Sequence, residues 1–168
     1  MKIVCETERL VIRQFNLDDA EFIIRLLNEE SFIRYIADKK VRTNADAVNY
    51  LTDGPLLSYT ENGYGLNLVL LKEAKVPIGM CGLIKRNEFK HPDLGFAFLP
   101  EFCGKGYALE AAVTVLEKEM KSYSLTKVLA VTFEDNRNSI GLLEKMGFSL
   151  KGTIKLHNSQ NYLYDYSV

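Results

Sequence analysis

A mixed sheet covered by helices is the fold class this sequence predicts, and three observations carry the prediction. Segments with apolar residues at helical spacing are interspersed with segments that alternate at period two. Short polar turns separate neighbouring strand-like runs, which makes hairpins. One such run, ending at Leu99, passes through a Gly-x-Gly turn straight into an amphipathic helix. The 168 residues fit one domain, 1–168, and a hydrophobic content of 47% is enough to fill a sizeable core. There is no linker, repeat or low-complexity tract.

Thr7–Phe15 opens the order of elements as a strand, with Leu10 and Ile12 alternating against Arg9, Val11 and Arg13. Asp18 and Glu21 resemble a capping box, and Phe22, Ile23, Leu26 and Leu27 form the apolar stripe of the helix that follows. A polar loop then leads to a second cap-like start at Thr43 and Asp46, whose helix stops at Asp53-Gly54-Pro55. Leu66–Leu71 and Val76–Ile84 read as a hairpin joined at Glu73-Ala74-Lys75, its interior Gly79 and Gly82 marking a bend or a close backbone approach. Asp93–Leu99 is the next strand. Ala111, Ala112, Val115, Leu116 and Met120 carry the long helix to about Ser122, and Lys127–Phe133 is a buried strand. Asn138–Met146 is a short helix with Gly147 as its C-cap, and a final pair of strands flanks Asn158.

The turn Cys103-Gly104-Lys105-Gly106-Tyr107-Ala108 has the chemistry of an anion site. A helix begins with backbone N–H groups that have no intrahelical acceptor, and its dipole adds about half a positive charge there. Gly104 and Gly106 remove side chains that would keep a ligand from the backbone, so a pyrophosphate fits. A Walker loop is excluded, because Lys105 is followed by Gly106 and the position five before Gly104 is Leu99. The dinucleotide fingerprint fails as well, since Leu109 stands where a third Gly or Ala is needed.

Composition narrows the partners. With 21 basic against 22 acidic residues and a net charge of -1, nothing suggests general attraction to nucleic acid or to a membrane surface. No apolar run approaches the roughly 20 residues a bilayer requires, and the charged stretch within MKIVCETERL is unlike a signal peptide, so a cytoplasmic location is expected. Cys5, Cys81 and Cys103 imply neither a disulfide framework nor a zinc site, and His91 and His157 are too few and too far apart for a metal cluster. A thiol beside a helix start has a lowered pKa in many proteins, yet Cys103 has no histidine placed by sequence to make it a nucleophile.

Four segments, TERLVIRQFNLDDAEFI, PIGMCGLI, LPEFCGKGYALEA and EDNRNSIGLLEKMGFSLKG, span nearly the whole chain. In these the chain resembles the GNAT superfamily of acyl-CoA-dependent N-acetyltransferases, especially the RimJ/RimL-like branch that acetylates ribosomal-protein N-termini. The resemblance implies an α+β fold: a largely antiparallel central sheet with splayed middle strands and helices on both faces. It implies acetyl-CoA as acyl donor, with pantetheine on the backbone near Ala97, Phe98 and Leu99 and pyrophosphate on the N–H groups of Cys103, Gly104, Lys105, Gly106, Tyr107 and Ala108. The branch's Asn-x-x-Ser pattern falls on Asn136 and Ser139, which would contact the cofactor; both residue types also serve as ordinary helix caps. Where many relatives carry a Tyr acid this chain has Leu143, which leaves Ser139 as the candidate acid. Glu101 replaces the usual Gln or Arg that begins the turn, a small departure because the contacts expected there are from the main chain.

Acyl transfer needs a neutral amine. At pH about 7.5 an α-amine with pKa near 7.8 is roughly a third neutral, whereas a lysine is neutral only about one part in a thousand. A weak base then suffices, and Asp93, expected at the mouth of the splayed strand and acting through water, is the candidate; a solvated turn residue is the alternative. A backbone N–H near Phe98 would polarise the carbonyl. Phe32, Tyr35 and Ile36 are candidates for the acceptor pocket or for core, Glu29 and Glu30 for attracting a cationic acceptor or for solvation, and Tyr162, Tyr164 and Tyr166 read as one face of a terminal strand. The first reading is acetylation of a protein or peptide N-terminal α-amine by direct attack in a ternary complex, by a monomer or homodimer. A small amine such as a polyamine or aminoglycoside is the second reading, and a non-catalytic acyl-CoA-binding module the third.

Overall fold

In a computed structural model, residues 2–156 and 158–168 are described; His157 lies outside them. The strands are β1 (Ile3–Glu6), β2 (Leu10–Gln14), β3 (Leu66–Leu71), β4 (Pro77–Ile84), β5 (Asp93–Phe98), β6 (Lys127–Phe133), β7 (Ser149–Leu156) and β8 (Ser159–Ser167). They form one sheet in the order β1-β2-β3-β4-β5-β6-β8-β7. Neighbours are antiparallel except β5 and β6, which run parallel and meet at one register, Asp93 opposite Leu129. Beyond it β5 runs on to Phe98 and β6 to Phe133 without pairing, which is the expected splay.

The helices are α1 (Ala20–Leu27), α2 (Glu30–Tyr35), α3 (Asn44–Leu51), α4 (Leu57–Asn62), α5 (Tyr107–Ser122) and α6 (Arg137–Met146). Period-two alternation assigns the two faces of the sheet. Leu10, Ile12, Val69 and Leu83 pack with Ala111, Ala112 and Val115 of α5 and Leu143 of α6. Leu68 and Met80 pack with Ile23, Leu26 and Leu27 of α1 and Ala47 and Leu51 of α3. Helices therefore cover both faces, and burying the aliphatic side chains between layers, at about 1.5–3 kcal/mol each, is the main force holding them there. Gly79 and Gly82 permit close strand contact: a Cβ at Gly79 would sit 2.5 Å from the Ala97 carbonyl oxygen, and one at Gly82 2.1 Å from that of Gly65.

Four local expectations change. The predicted Thr7–Phe15 strand starts at Leu10, because Thr7 turns the chain: its N–H donates to the Leu10 carbonyl at 2.9 Å, and its hydroxyl accepts the Leu10 N–H. Ile3–Glu6 forms a separate β1 before that turn. The cap of the first helical segment is Asn16 with Asp19 rather than Asp18 with Glu21; the Asp19 carboxylate accepts the Asn16 N–H and is held by Arg13 at 2.8 Å. Part of the polar loop is helix α2, which buries Phe32. Asp53-Gly54-Pro55 does not stop the chain either. A wide π-type turn over Thr52–Leu56 absorbs the missing Pro55 N–H and leads into α4, which ends at Gly63 with φ +86°. The Thr43/Asp46 capping box, α5 from Tyr107 to Ser122, and Gly147 at φ +97° follow the sequence reading. No helix among the described residues is long and apolar enough to cross a membrane.

Candidate active site

The Gly-x-Gly turn forms a cradle of free N–H groups. Gly104 at φ +76° and Gly106 at φ +84° are both left-handed, a conformation costing about 1–2 kcal/mol with a side chain. Gly106 caps α5, and the first helical bond runs from the Glu110 N–H to its carbonyl at 3.0 Å. Among the described residues no protein acceptor engages the N–H groups of Gly104, Lys105, Gly106, Tyr107 and Ala108. A Cβ at Gly104 would meet nothing within 4 Å, so the cradle opens outward. Cys103 differs from expectation: its N–H donates to the Pro100 carbonyl at 3.1 Å, closing a short helical turn, and is withdrawn from the cradle. Its thiol donates to the Leu99 carbonyl, and desolvation of the sulfur pushes its pKa up rather than down.

The backbone of β5 supplies a second set of groups. Leu99 donates to the Ile78 carbonyl at 2.9 Å, and antiparallel pairs alternate between bonded and non-bonded, so Ala97 opposite Met80 also points its N–H and C=O at β4. Phe96 and Phe98 point theirs the other way, towards β6, where the splay leaves them unpaired. Of the expected trio Ala97, Phe98 and Leu99, the register therefore leaves only Phe98 for a ligand's amide groups and adds Phe96.

A cavity of about 560 Å³ lies at the splay, reaching Phe32 and Met80 from one layer and Leu143 from the other. Asp93, Asn136 and Ser139 line it together with Phe32, Tyr35 and Ile36, whereas Glu29 and Glu30 do not. Asp93 is neither at the mouth of the splay nor solvated. It stands where β5 and β6 still touch, is 1% exposed, and accepts a 2.9 Å bond from Arg86 Nε. Burial pushes its carboxyl above the usual range, and the Arg86 guanidinium opposes that rise. Asn136 caps α6 by accepting the Ser139 N–H at 3.3 Å, so its carbonyl oxygen is committed while its amide NH₂ has no partner among the described residues. The Ser139 hydroxyl has no hydrogen-bond partner among the described residues.

Sequence reasoning missed Arg86, and it missed Lys39 and Tyr50, which line both this cavity and a neighbouring one of about 640 Å³. Thr132 and Asn161 are further buried polar groups in its wall. Arg9 was also missed: its guanidinium bonds Glu110 at 2.9 Å and the Lys105 carbonyl at 3.1 Å, beneath the cradle. The signal for Arg9 was present in the alternation of Arg9 and Arg13 against Leu10 and Ile12, which assigns a face but no partner. Tyr162, Tyr164 and Tyr166 pack against the core from β8, as a strand face should. Among the described residues no group of His, Cys, Asp and Glu could hold a metal ion.

Residues 9–149 match the family described as the acetyltransferase (GNAT) domain. The uncharacterized N-acetyltransferase YoaA of Bacillus subtilis (strain 168) is 28% identical over 160 residues, covering 94% of this chain and 89% of YoaA. The crystal structure of a GNAT-family acetyltransferase from Bacillus anthracis superposes with a TM-score of 0.80 at 26% identity, covering 99% and 98% of the two chains. RimL, a ribosomal L7/L12 α-N-protein acetyltransferase solved in complex with coenzyme A, shares the fold with a TM-score of 0.84 at 14% identity, covering 99% and 98%. With the family match spanning most of the chain and the fold in agreement with these structures, the chain belongs to the GNAT family and is an acetyltransferase.

Proposed function

We propose that this protein transfers the acetyl group of acetyl-CoA to the α-amine at the N-terminus of a protein or peptide. The observation that carries the reading is the continuity of the site: free N–H groups from Gly104 to Ala108, then the unpaired backbone of Phe98 and Phe96, then a cavity holding Asp93, Asn136 and Ser139. That sequence suits a ligand with a pyrophosphate at one end, amides in its arm and a reactive group at the far end. RimL, whose structure holds coenzyme A, supports the same assignment by its shared fold.

When bound, acetyl-CoA supplies the acetyl group as a thioester, activated for attack by an amine. Gly104 to Ala108 would hold its pyrophosphate, Phe96 and Phe98 its arm, and the Asn136 amide its carbonyl groups. The Phe98 N–H, turned into the splay, would be a donor for the thioester carbonyl oxygen, an electrostatic role that needs no side chain. Asp93 takes a proton from the incoming amine, directly or through one water, its raised pKa bringing it nearer the working pH. Ser139 gives a hydrogen bond or proton to the leaving sulfur.

Charge supports an α-amine over a polyamine. In the cavity wall Asp93 is paired with Arg86, and Asp38 is paired with Arg42 from outside the wall, while no carboxylate lies within salt-bridge reach of Lys39 among the described residues. The wall is left with an uncompensated cation, which repels a second ammonium. CoA release measured at pH 7.5 with short peptides, spermidine-type amines and an aminoglycoside tests the reading. Peptides should give the highest kcat/KM, blocking their α-amine should abolish it, and faster turnover of a polyamine overturns the assignment; binding of CoA with no release on any amine makes the protein a binding module.

A further inference from the structure

We propose that Arg9 is a positioning residue for the donor pyrophosphate, acting through the Lys105 carbonyl to aim the Gly106 N–H into the cradle. This rests on the function proposed above. The Arg9 guanidinium is fixed on several sides. Nε and Nη2 each lie 2.9 Å from Glu110 Oε1, Nη1 donates to the Lys105 carbonyl at 3.1 Å, and Cζ sits 4.3 Å from the centre of the Tyr107 ring. Glu110 is itself anchored, accepting from the Thr7 hydroxyl and from the Arg9 N–H. The first turn of α5 and the β1–β2 turn are thus one unit.

A trans peptide plane points its C=O and its following N–H in opposite directions. With the Lys105 carbonyl held by Arg9, the Gly106 N–H faces away from Arg9. The plane between Lys105 and Gly106 has a glycine at one end and Gly104 one residue before the other, and glycines permit the left-handed turn without enforcing it. A flip of this plane would present a carbonyl oxygen to the pyrophosphate. Arg9 supplies the restraint that the glycines lack, while Glu110 compensates its charge, so its part is to orient the loop. Gly106 fits the same arrangement, since a Cβ there would stand 3.3 Å from Arg9 Nη2.

The test compares a donor that carries the pyrophosphate with one that lacks it. Arg9→Met and Arg9→Lys are assayed with acetyl-CoA and with S-acetylpantetheine, and CoA and pantetheine are titrated calorimetrically against each variant, which requires no turnover. The expected result is a KM for acetyl-CoA and a Kd for CoA raised about tenfold, with kcat at saturation little changed and the pantetheine donors unaffected. Lysine cannot reproduce the planar fork, so Arg9→Lys should recover little of the loss; it is the variant to read if Arg9→Met folds poorly. Equal loss for both donors, or a lowered Tm with CoA affinity intact, overturns the proposal and leaves Arg9 a structural staple. Absence of turnover with every amine would defeat the proposed function, while the calorimetric comparison would still decide the role of Arg9.

Discussion

Ser139 and Asn136 share one helix start and divide its chemistry, the amide oxygen of Asn136 holding the Ser139 N–H while the serine hydroxyl stays free for the cavity. A thiol of pKa near 8.5 leaves fairly well unaided, so Ser139→Ala should lower kcat only about 10- to 100-fold, with donor affinity changed much less. If stability or donor binding falls instead while kcat at saturation holds, Ser139 is a cap residue and no acid. Asp93→Asn keeps the shape and an oxygen for Arg86 but removes the base. Turnover should drop by about 10- to 100-fold, while the rise in activity from about pH 6 to 8 persists in both forms, because the acceptor amine sets that limb. Rate profiles over pH decide it: unchanged turnover would reduce Asp93 to a partner that orients Arg86. Asn136 and Ser139 were named from the Asn-x-x-Ser pattern of the resemblance, and Asp93 as a carboxylate at a strand start whose burial against Arg86 no local pattern announced. Arg9 and Arg86 were not, since Arg9 reaches Glu110 across 101 positions and Arg86 folds back on Asp93 from the β4–β5 connection.

Among the elements, α5 has two unlike ends. Its start offers unused N–H groups to solvent, whereas its last turns bury Glu119 to 5% exposure. Burial pushes that carboxyl's pKa up, opposed by Lys2 and Lys118. A folded-state pKa above the unfolded value means the contribution to stability is complete below the unfolded pKa and is lost as pH rises through the folded one. Glu119→Gln removes that loss. Thermal melts should therefore show the variant more stable than the parent at pH 8, with the gap closing towards pH 4; a gap that does not vary with pH would refute the account. The limits of α5 and β6 could be read from the sequence because each has a long apolar period and a clear stop. Strand β1 and helix α2 could not, being too short for a period to emerge. The turn at Pro55 misled because a wide helical turn tolerates a residue without an N–H, and nothing local announces it.

For the whole molecule, the mixed sheet with hairpins was legible from the chain, and the splay entered only through resemblance, since no local pattern states that two parallel strands pair at one register and then part. The proposed site draws on β5, α5, β6 and α6, so a donor spanning it should bind the folded chain alone. Acetyl-CoA at about 100 times its Kd would then add about 2.7 kcal/mol, a rise in Tm of roughly 5–10 °C for a chain of this size. A melt insensitive to acetyl-CoA concentration would contradict a donor site built on the native fold. The bond from Arg9 to Glu110 also sets an order in time. A chain synthesised only as far as Leu99 contains β1 through β5 but neither the glycine turn nor Glu110. The β1–β2 turn gains its partner only when the first turn of α5 has been made. The anion cradle is therefore completed from two distant parts of the chain, and a chain ending before Glu110 lacks the carboxylate that fixes Arg9 beneath it.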